Sequence, residues 1–272
     1  MNSADRRRRI LALLSAEGEV SVEALAGRLD VTASTIRRDL TRLTADGAVT
    51  RTYGGAVVPL GAPVESPLHQ RARESRAQKD AIGRWAAAQV REGETVMLDA
   101  GTTVARAARH LRRRTGLTVI TNGLTALAEL ADADAVDVIG LGGSLRHISH
   151  GFVGSVTDMN LQRFSAHRVF LGADGLTADR GICEASPVQT RTKEVMAARG
   201  DAVYVLADST KIGRSPFTAW APLQRPWTLV TDASATEEQL APFREAGNVE
   251  IVTLPTDEQT SPPRTSRTAP RR

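Results

Sequence analysis

The sequence predicts an α/β protein in which an N-terminal winged helix-turn-helix domain is joined to a doubly wound, mostly parallel α/β domain. Two patterns support this fold class. Within the first sixty residues, amphipathic helical segments have the spacing of a helix-turn-helix. Further along, seven short runs of Val, Leu and Ile alternate with helix-length stretches. Continuous apolar runs of this kind are typical of strands buried on both faces of a parallel sheet.

Composition and charge narrow the class of protein. The 272 residues are 41% hydrophobic and carry a net charge of +4, which permits a nucleic-acid partner without requiring one. Arginines cluster at Arg6–Arg9, at Arg37–Arg38 and in the C-terminal tail. The single cysteine, Cys183, excludes an intrachain disulfide. We find neither a signal-peptide pattern nor an apolar run of membrane-spanning length, and therefore expect a cytoplasmic protein with no membrane partner.

Residues 31–55 carry the strongest local signal. Ile36, Leu40 and Leu43 recur at helical spacing and share one face. Thr32 is the predicted N-cap and Gly47 is placed to end the helix. The opposite face presents Ser34, Arg37, Arg38, Thr41 and Ala45. Such a face offers guanidinium and hydroxyl donors to phosphates and base edges, although an ordinary surface helix with solvated arginines would show a similar pattern.

The flanking segments favour the DNA-binding interpretation. A helix over about Arg6–Ala16 is followed by a helix over Ser21–Leu29 and a turn at Asp30–Thr32. After Gly47, Val49, Arg51 and Tyr53 alternate before a glycine pair, which predicts a small wing. The candidate DNA-binding residues are Ser34, Thr35, Arg37, Arg38, Thr41, Arg42, Arg51 and Tyr53. Arg6–Arg9 could contact phosphates or simply be a solvated helix start.

The chain divides into four predicted segments: the winged helix-turn-helix domain at 1–57, a linker at 58–75, the α/β domain at 76–255 and a disordered tail at 256–272. The linker has three prolines and little periodicity, and the tail is rich in Pro, Ser, Thr and Arg. The predicted strands are 95–100, 117–121, 135–141, 167–174, 202–208, 227–232 and 249–254. The predicted helices of this domain are 75–90, 103–113, 124–131, 151–164, 187–199 and 236–246.

A candidate ligand site lies at the carboxyl ends of the strands, where open α/β sheets bind small molecules. Asp99 ends the first strand and is followed by Gly101, Thr102 and Thr103 at a helix start. Free backbone N–H groups at a helix N-terminus suit a phosphate. A carboxylate would repel a phosphate, so we expect Asp99 to accept hydrogen bonds from sugar hydroxyls nearby.

The chain resembles a known family at these residues. Thr35-Ile36-Arg37-Arg38-Asp39-Leu40, with Gly54-Gly55-Ala56 closing the wing, is similar to the signature of DeoR-type bacterial transcription regulators. The strand ends resemble the sensor domain of that family, whose fold is similar to ribose-5-phosphate isomerase. The resemblance implies a phosphorylated sugar or close metabolite as effector. By motif position it assigns the effector site to Asp99, Gly101, Thr102, Thr103, Asn122, Gly143, Asp174, Glu184, Lys193 and Lys211.

Some of these residues have structural alternatives. Asp174 and Asp208 could cap or pair at strand ends, Lys193 could be a solvated helix position, and Gly143 could only turn the chain. His147 and His150 are three residues apart and lack a third ligand in that stretch, so we expect no metal. We expect no cofactor and no catalytic residue.

The resemblance implies a repressor of carbohydrate-metabolism genes, a homodimer or homotetramer on double-stranded DNA, released by its sugar-phosphate effector. The enzymatic alternative is a sugar-phosphate isomerase with an added DNA-binding module. In the isomerases that this chain resembles, an Asp-Glu pair lies at the matching strand end, but here Asp174 is followed by Gly175. Isomerisation needs a general base and usually a second acid, so the missing glutamate favours a ligand-binding role over catalysis. An RNA-binding protein would expose aromatics, and only ten are present.

Overall fold

The computed structural model describes residues 2–17, 19–45, 49–52, 55–57 and 65–255. Predicted features at Gly47, Tyr53, Gly54 and 256–272 lie outside these ranges. The described part of the first domain contains three helices and three short strands. In chain order they are α1 (Ser3–Glu17), β1 (Glu19–Ser21), α2 (Val22–Leu29), α3 (Ala33–Ala45), β2 (Thr50–Thr52) and β3 (Gly55–Val57).

The predicted helix-turn-helix is confirmed at α2 and α3. Ser21 caps α2, because its side chain accepts a hydrogen bond from the backbone N–H of Ala24 at 3.1 Å. Asp30 ends α2 in the left-handed conformation, with φ of 52°. Ile36 and Leu40 have no exposed surface and pack in one apolar cluster with the buried residues of α1 and α2.

The predicted wing is present and has one strand more than expected. β1, β3 and β2 form an antiparallel sheet in that order, so β3 is its central strand. A Cβ on Gly55 would lie 2.7 Å from the carbonyl oxygen of Val20, which explains the glycine there. β1 was missed because three residues are too few for a periodicity.

The second domain has twelve strands and seven α-helices among the described residues. Its helices are α4 (Leu68–Arg71), α5 (Arg76–Gln89), α6 (Thr102–Leu111), α7 (Leu124–Leu130), α8 (Ser155–Leu161), α9 (Pro187–Ala198) and α10 (Glu237–Glu245). Its strands are β4 (Thr95–Leu98), β5 (Leu117–Thr121), β6 (Val136–Gly140), β7 (Ser144–Arg146), β8 (Gly151–Val153), β9 (Ala166–Leu171), β10 (Gly175–Thr177), β11 (Gly181–Glu184), β12 (Gly200–Leu206), β13 (Ala219–Ala221), β14 (Trp227–Asp232) and β15 (Val249–Leu254).

Seven strands form one parallel sheet in the order β15-β14-β12-β9-β4-β5-β6. From β4 the chain first builds outward through β5 and β6, then returns to β9 on the other side of β4. The strand order therefore reverses between β4 and β9. In doubly wound sheets this reversal opens a crevice at the carboxyl ends of the two strands.

Helices cover both faces of the sheet, as predicted. Val96 and Leu98 of β4 point into a cluster shared with α5, α6 and α7. Met97 points the opposite way, into a cluster shared with α8, α9 and α10. The alternation of these neighbours between two cores explains why the strand is apolar throughout.

All seven predicted strands are members of this sheet, with ends shifted by at most three residues. The short antiparallel pieces were not predicted. The helix predicted over 151–164 begins only at Ser155, because 151–153 pair with β7 as strand β8. None of the described helices combines the length and the apolar character that crossing a membrane requires.

Candidate functional site

The outer face of α3 carries the predicted DNA-binding side chains. Ser34, Arg37, Arg38, Thr41 and Arg42 are exposed, and Thr35 is half-buried. The predicted N-cap is confirmed, since the Thr32 hydroxyl accepts from the backbone N–H of Thr35 at 3.3 Å. Arg37 lies 3.5 Å from the carboxylate of Glu23 on α2. The side chain of Arg51 and the whole of Tyr53 lie outside what the structure describes. Their DNA-binding roles therefore stay predictions.

Asp39, on the inner side of α3, was not singled out from the sequence although it falls in the signature. It is 2% exposed, and its Oδ2 accepts from the Arg6 Nε at 2.5 Å. Arg7 lies 3.6 Å from its other oxygen. Two of the four clustered arginines therefore hold the recognition helix to α1, a role that neither sequence interpretation anticipated.

Replacing Asp39 by asparagine is expected to loosen the packing of α3 on α1. The amide keeps the shape of the side chain but removes the negative charge that pairs with two nearby guanidinium groups. We expect this to lower the free energy of unfolding of the domain by about 1–3 kcal/mol. Hydrogen exchange of the α3 backbone amides would measure it, with exposed Glu23→Gln as the matched control. Unchanged protection of α3 in the Asp39 variant would contradict the assigned role.

A pocket opens at the carboxyl ends of β4, β9 and β12, where the strand order reverses. It is lined by Arg71, Lys79, Ala100, Gly101, Thr102, Thr103, Ser149, Gly172, Ala173, Asp174, Glu184, Gln189, Lys193, Ala207, Asp208 and Lys211. Seven of the ten predicted effector residues are therefore brought together. Asp99, Asn122 and Gly143 do not line the pocket.

The phosphate loop predicted from the sequence forms one wall. Gly101 has φ of 141°, a conformation that L side chains rarely adopt, and α6 begins at the next residue. The first hydrogen bond of the helix runs from the N–H of Ala105 to the carbonyl of Gly101 at 3.0 Å. Thr102 and Thr103 line the pocket, and their backbone N–H groups precede that first bond and so have no partner within the helix.

Lys193 and Glu184 at the floor of the pocket form a buried cluster with Asp99, which lies behind them. The Lys193 ammonium donates to the Asp99 carboxylate and to the carbonyl of Gly172 at 2.9 Å, and lies 3.1 Å from Glu184. These three acceptors use all three ammonium protons. Lys193 is 3% exposed, so the solvated-helix alternative is wrong.

The same cluster changes the expected role of Asp99. Its Oδ1 accepts from the N–H of Ala100 at 2.7 Å, and its Oδ2 accepts from the N–H of Gly172 at 3.0 Å as well as from Lys193. Asp99 thus ties the ends of β4 and β9 together behind the pocket wall. A structural role fits these contacts better than the expected bond to a sugar hydroxyl.

Burial and charge set the protonation of this cluster. Burial raises the pKa of Glu184 well above its ordinary value, and the negative charges of Asp174 and Asp99 add to the effect, while Lys193 opposes it. Burial would lower the pKa of Lys193, but the charges of Asp99 and Glu184 outweigh burial and raise it. The lysine therefore stays charged at neutral pH.

Two further lysines face the pocket. Lys79 of α5 is 4% exposed and donates to the carbonyl of Arg71 at 2.6 Å. Burial lowers the pKa of Lys79, partly offset by the charge of Asp208. Lys211 is half-buried and forms no ion pair with any residue in the described ranges. Lys211 is thus the cation most available to an anionic ligand.

Several pocket residues were missed from the sequence. Arg71 and Lys79 line it, and neither lies at a strand end. Arg71 comes from the predicted linker, whose residues 65–75 are instead folded onto the α/β domain: Arg71 pairs with Asp174 at 2.9 Å. This contact lies within the segment predicted as a linker, of which residues 58–64 fall outside the described ranges.

Asn122 and Gly143 have structural explanations. The Asn122 side chain donates to the carbonyl of Phe152 at 3.1 Å and joins the end of β5 to β8. A Cβ on Gly143 would lie 2.2 Å from the Thr157 hydroxyl, so the turn can only approach α8 with glycine there. Among the described residues no group of three His, Cys, Asp or Glu side chains could hold a metal ion.

Comparison with known protein families gives a match for each of the two domains. Residues 6–60 match the DeoR-like helix-turn-helix domain, and residues 74–233 match the DeoR C terminal sensor domain. The transcriptional repressor AccR of Agrobacterium fabrum is 33% identical over 233 residues, which cover 85% of this chain and 90% of that protein. The glycerol-3-phosphate regulon repressor of Escherichia coli K12 is 30% identical and covers 86% and 92%.

Among solved structures, ribose 5-phosphate isomerase A of Methanocaldococcus jannaschii aligns with a TM-score of 0.37 at 16% identity, covering 49% of this chain and 52% of that one. A likeness of this size carries no weight for function.

The fold, the exposed α3 face and the strand-end pocket define a DNA-binding transcriptional regulator with a ligand-sensor domain. The chain belongs to the DeoR family. Several relatives that match over most of both chains are named as repressors, so the isomerase alternative is not favoured.

Proposed function

We propose that this regulator represses genes of carbohydrate metabolism, and that a phosphorylated sugar or related metabolite bound in the strand-end pocket relieves its operator binding. Relatives named for the aga operon, the glycerol-3-phosphate regulon and the lactose phosphotransferase system support the class of regulated genes. The names of these relatives also support repression as the sign of regulation, and release by an effector is our own proposal.

The observation that carries the proposal is that two kinds of ligand-binding group line the same pocket. The first kind is cationic or N–H donating: the Lys211 ammonium and the N–H groups at the start of α6, both of which suit a phosphate. The second kind consists of buried polar atoms of lining residues without a hydrogen-bond partner in the described ranges, namely Ser149 Oγ, Asp174 Oδ2 and Gln189 Oε1. Such atoms are costly unless a ligand or water satisfies them, and sugar hydroxyls can.

Operator binding is assigned to α3 with the wing beside it. One recognition helix gives modest affinity, so we propose a homodimer or homotetramer that places two helices on two half-sites about one helical turn apart. An effector changes operator affinity only if it prefers one arrangement of these heads.

Lys211→Gln tests the proposed phosphate contact in the pocket. We expect glycerol 3-phosphate and inorganic phosphate to bind this variant at least about tenfold more weakly, because a charged hydrogen bond contributes roughly 1.5–3 kcal/mol. Isothermal calorimetry measures the affinity, and the rise in melting temperature on adding each anion gives a second readout. Exposed Arg214→Gln, from the same loop, is the matched control.

Two outcomes would contradict the proposal. One is equal affinity of the Lys211 and Arg214 variants for these anions. The other is a wild-type protein that no member of a panel of phosphorylated sugars stabilises or releases from its own promoter DNA.

A further inference from the structure

Arg71 stands between two buried carboxylates that belong to different parts of the chain. One terminal nitrogen lies 2.9 Å from Asp174 Oδ1, and the other lies 3.1 Å from Glu65 Oε1. The second nitrogen also donates to the carbonyl of Ile148 at 3.3 Å. Asp174 lies in the effector pocket, whereas Glu65 lies near the start of the sensor domain.

Glu65 is held from its other side by Arg146 of β7. The two side chains form a bidentate pair with distances of 2.9 and 2.5 Å. Glu65 and Arg146 are each 5% exposed and Asp174 is 8% exposed. With all groups ionised, the two guanidinium groups balance the two carboxylates, so the buried network is neutral only as a complete set.

Asp174 lines the pocket and has one carboxylate oxygen that is not hydrogen-bonded within the network. Its Oδ2 is buried and has no partner among the residues that the structure describes. Arg71 lines the same pocket, and its buried Nε likewise lacks an acceptor in those ranges. Both residues line the pocket, and each retains hydrogen-bonding capacity that the described residues leave unused.

The position of Glu65 in the chain gives the network its significance. Strand β3 of the DNA-binding domain ends at Val57, and seven residues, 58–64, separate it from Glu65. Glu65 and α4 are thus where the connection from the DNA-binding domain is fixed to the sensor. The predicted linker 58–75 contains this anchor.

We propose that Arg71 couples the effector pocket to this connection: an anionic effector draws the Arg71 guanidinium toward itself, leaves Glu65 held by Arg146 alone, and so loosens residues 65–71 on the sensor. The inference rests on the proposed function of the pocket and adds the route by which occupancy reaches the DNA-binding domain.

Charge arithmetic gives the direction of the coupling. Burial raises the pKa of Glu65, and Asp174 raises it further, so its charged form depends on Arg146 and Arg71. An anionic effector adds negative charge to the pocket that Arg71 lines, and two carboxylates already share this guanidinium. The effector and Glu65 therefore compete for Arg71, and by linkage a change that weakens the Glu65 anchor must strengthen effector binding.

Release of the anchor changes the reach of the DNA-binding domain. Seven residues span at most about 25 Å when extended, whereas the fourteen residues 58–71 span up to about 50 Å. A longer tether lowers the effective concentration of one recognition helix at the second half-site once the first is bound. Operator affinity then falls without any change in α3 itself.

Glu65→Gln tests the anchor without needing an effector, because the amide retains the shape and loses the charge. We expect backbone amides of residues 65–72 to exchange about tenfold faster than in wild type, and operator DNA to bind at least about fivefold more weakly. Glycerol 3-phosphate should bind this variant more tightly. The control is Glu74→Gln, an exposed carboxylate of the same segment bonded to Gln70 at 3.1 Å.

The wild-type protein gives the complementary measurement. We expect glycerol 3-phosphate to accelerate exchange of residues 65–72, with sodium chloride of equal ionic strength as the reference, and to add little in Glu65→Gln. Unchanged or slower exchange in a wild-type protein that calorimetry shows to bind glycerol 3-phosphate would overturn the inference alone. Wild-type protein that binds none of the phosphorylated sugars refutes the proposed function instead, and the effector-free comparison of Glu65→Gln with Glu74→Gln still decides the anchor.

Discussion

Lys193→Met is expected to destabilise the sensor domain by about 3–5 kcal/mol, the usual cost of removing one partner from a buried ion pair. The methionine fills a similar volume but leaves Asp99 and Glu184 as neighbouring buried carboxylates without a counter-charge. The loss should appear as a lower melting temperature of the sensor domain. Because Asp99 also joins the ends of β4 and β9, we expect effector binding to be lost in parallel.

The same variant has a predictable pH dependence. A carboxylate whose folded pKa is raised binds more protons in the folded state, so its contribution to stability is present at low pH and lost as pH rises through that pKa. Without Lys193 the pKa of Glu184 rises further. The penalty of Lys193→Met should therefore be smaller at pH 5 than at pH 8.

Arg191→Met, an exposed position on the same helix, is the matched control and should change the melting temperature little at either pH. A Lys193 variant as stable as this control at pH 8 would mean that the cluster at the pocket floor is not ionised as described.

Arg38→Ala is expected to weaken operator binding by about 1–3 kcal/mol if the side chain contacts a base edge, which is roughly a five- to 150-fold loss. Arg38 is exposed on α3 and forms no ion pair within the described ranges, unlike Arg37, which lies near Glu23. Its guanidinium is thus available to DNA. Sensor stability should not change.

The dependence on salt distinguishes the two kinds of contact. A lost base contact reduces discrimination between operator and unrelated DNA, whereas a lost phosphate contact weakens both and lowers the salt slope by about one. Arg244→Ala, on an exposed face of α10 in the sensor domain, is the control. Equal operator affinity of the Arg38 and Arg244 variants would remove α3 from the interface.

The features that could be predicted from the sequence are those determined by residues close together in the chain. The apolar spacing of Ile36 and Leu40 gave the buried face of α3, and continuous apolar runs gave all seven sheet strands. The turn at Gly101–Thr103 was recognisable because a strand, a glycine and a helix start follow one another directly. Local periodicity and turn chemistry are sufficient for such elements.

The features that could not be predicted depend on partners far apart in the chain. Arg71 meets Asp174 across 103 positions, and Arg6 meets Asp39 across 33. Arg71 follows a proline-rich stretch whose composition indicates a linker, and nothing local marks it as a pocket residue. Asp99 was placed correctly at a strand end, but its three internal hydrogen-bond donors could not be read from spacing.

The distance in sequence between the parts of the pocket has a consequence for the order in which the protein is made. During synthesis the helix-turn-helix and wing are complete after about sixty residues, and their contacts are local, which favours fast folding. The pocket needs Arg71 and Lys211 together, and β4 finds its central neighbour β9 only after β5 and β6 have been made. A growing chain therefore completes its DNA-binding domain well before its proposed effector pocket. A chain that ends before residue 211 would keep the DNA-binding domain but lack a complete pocket, and we expect it not to respond to an effector.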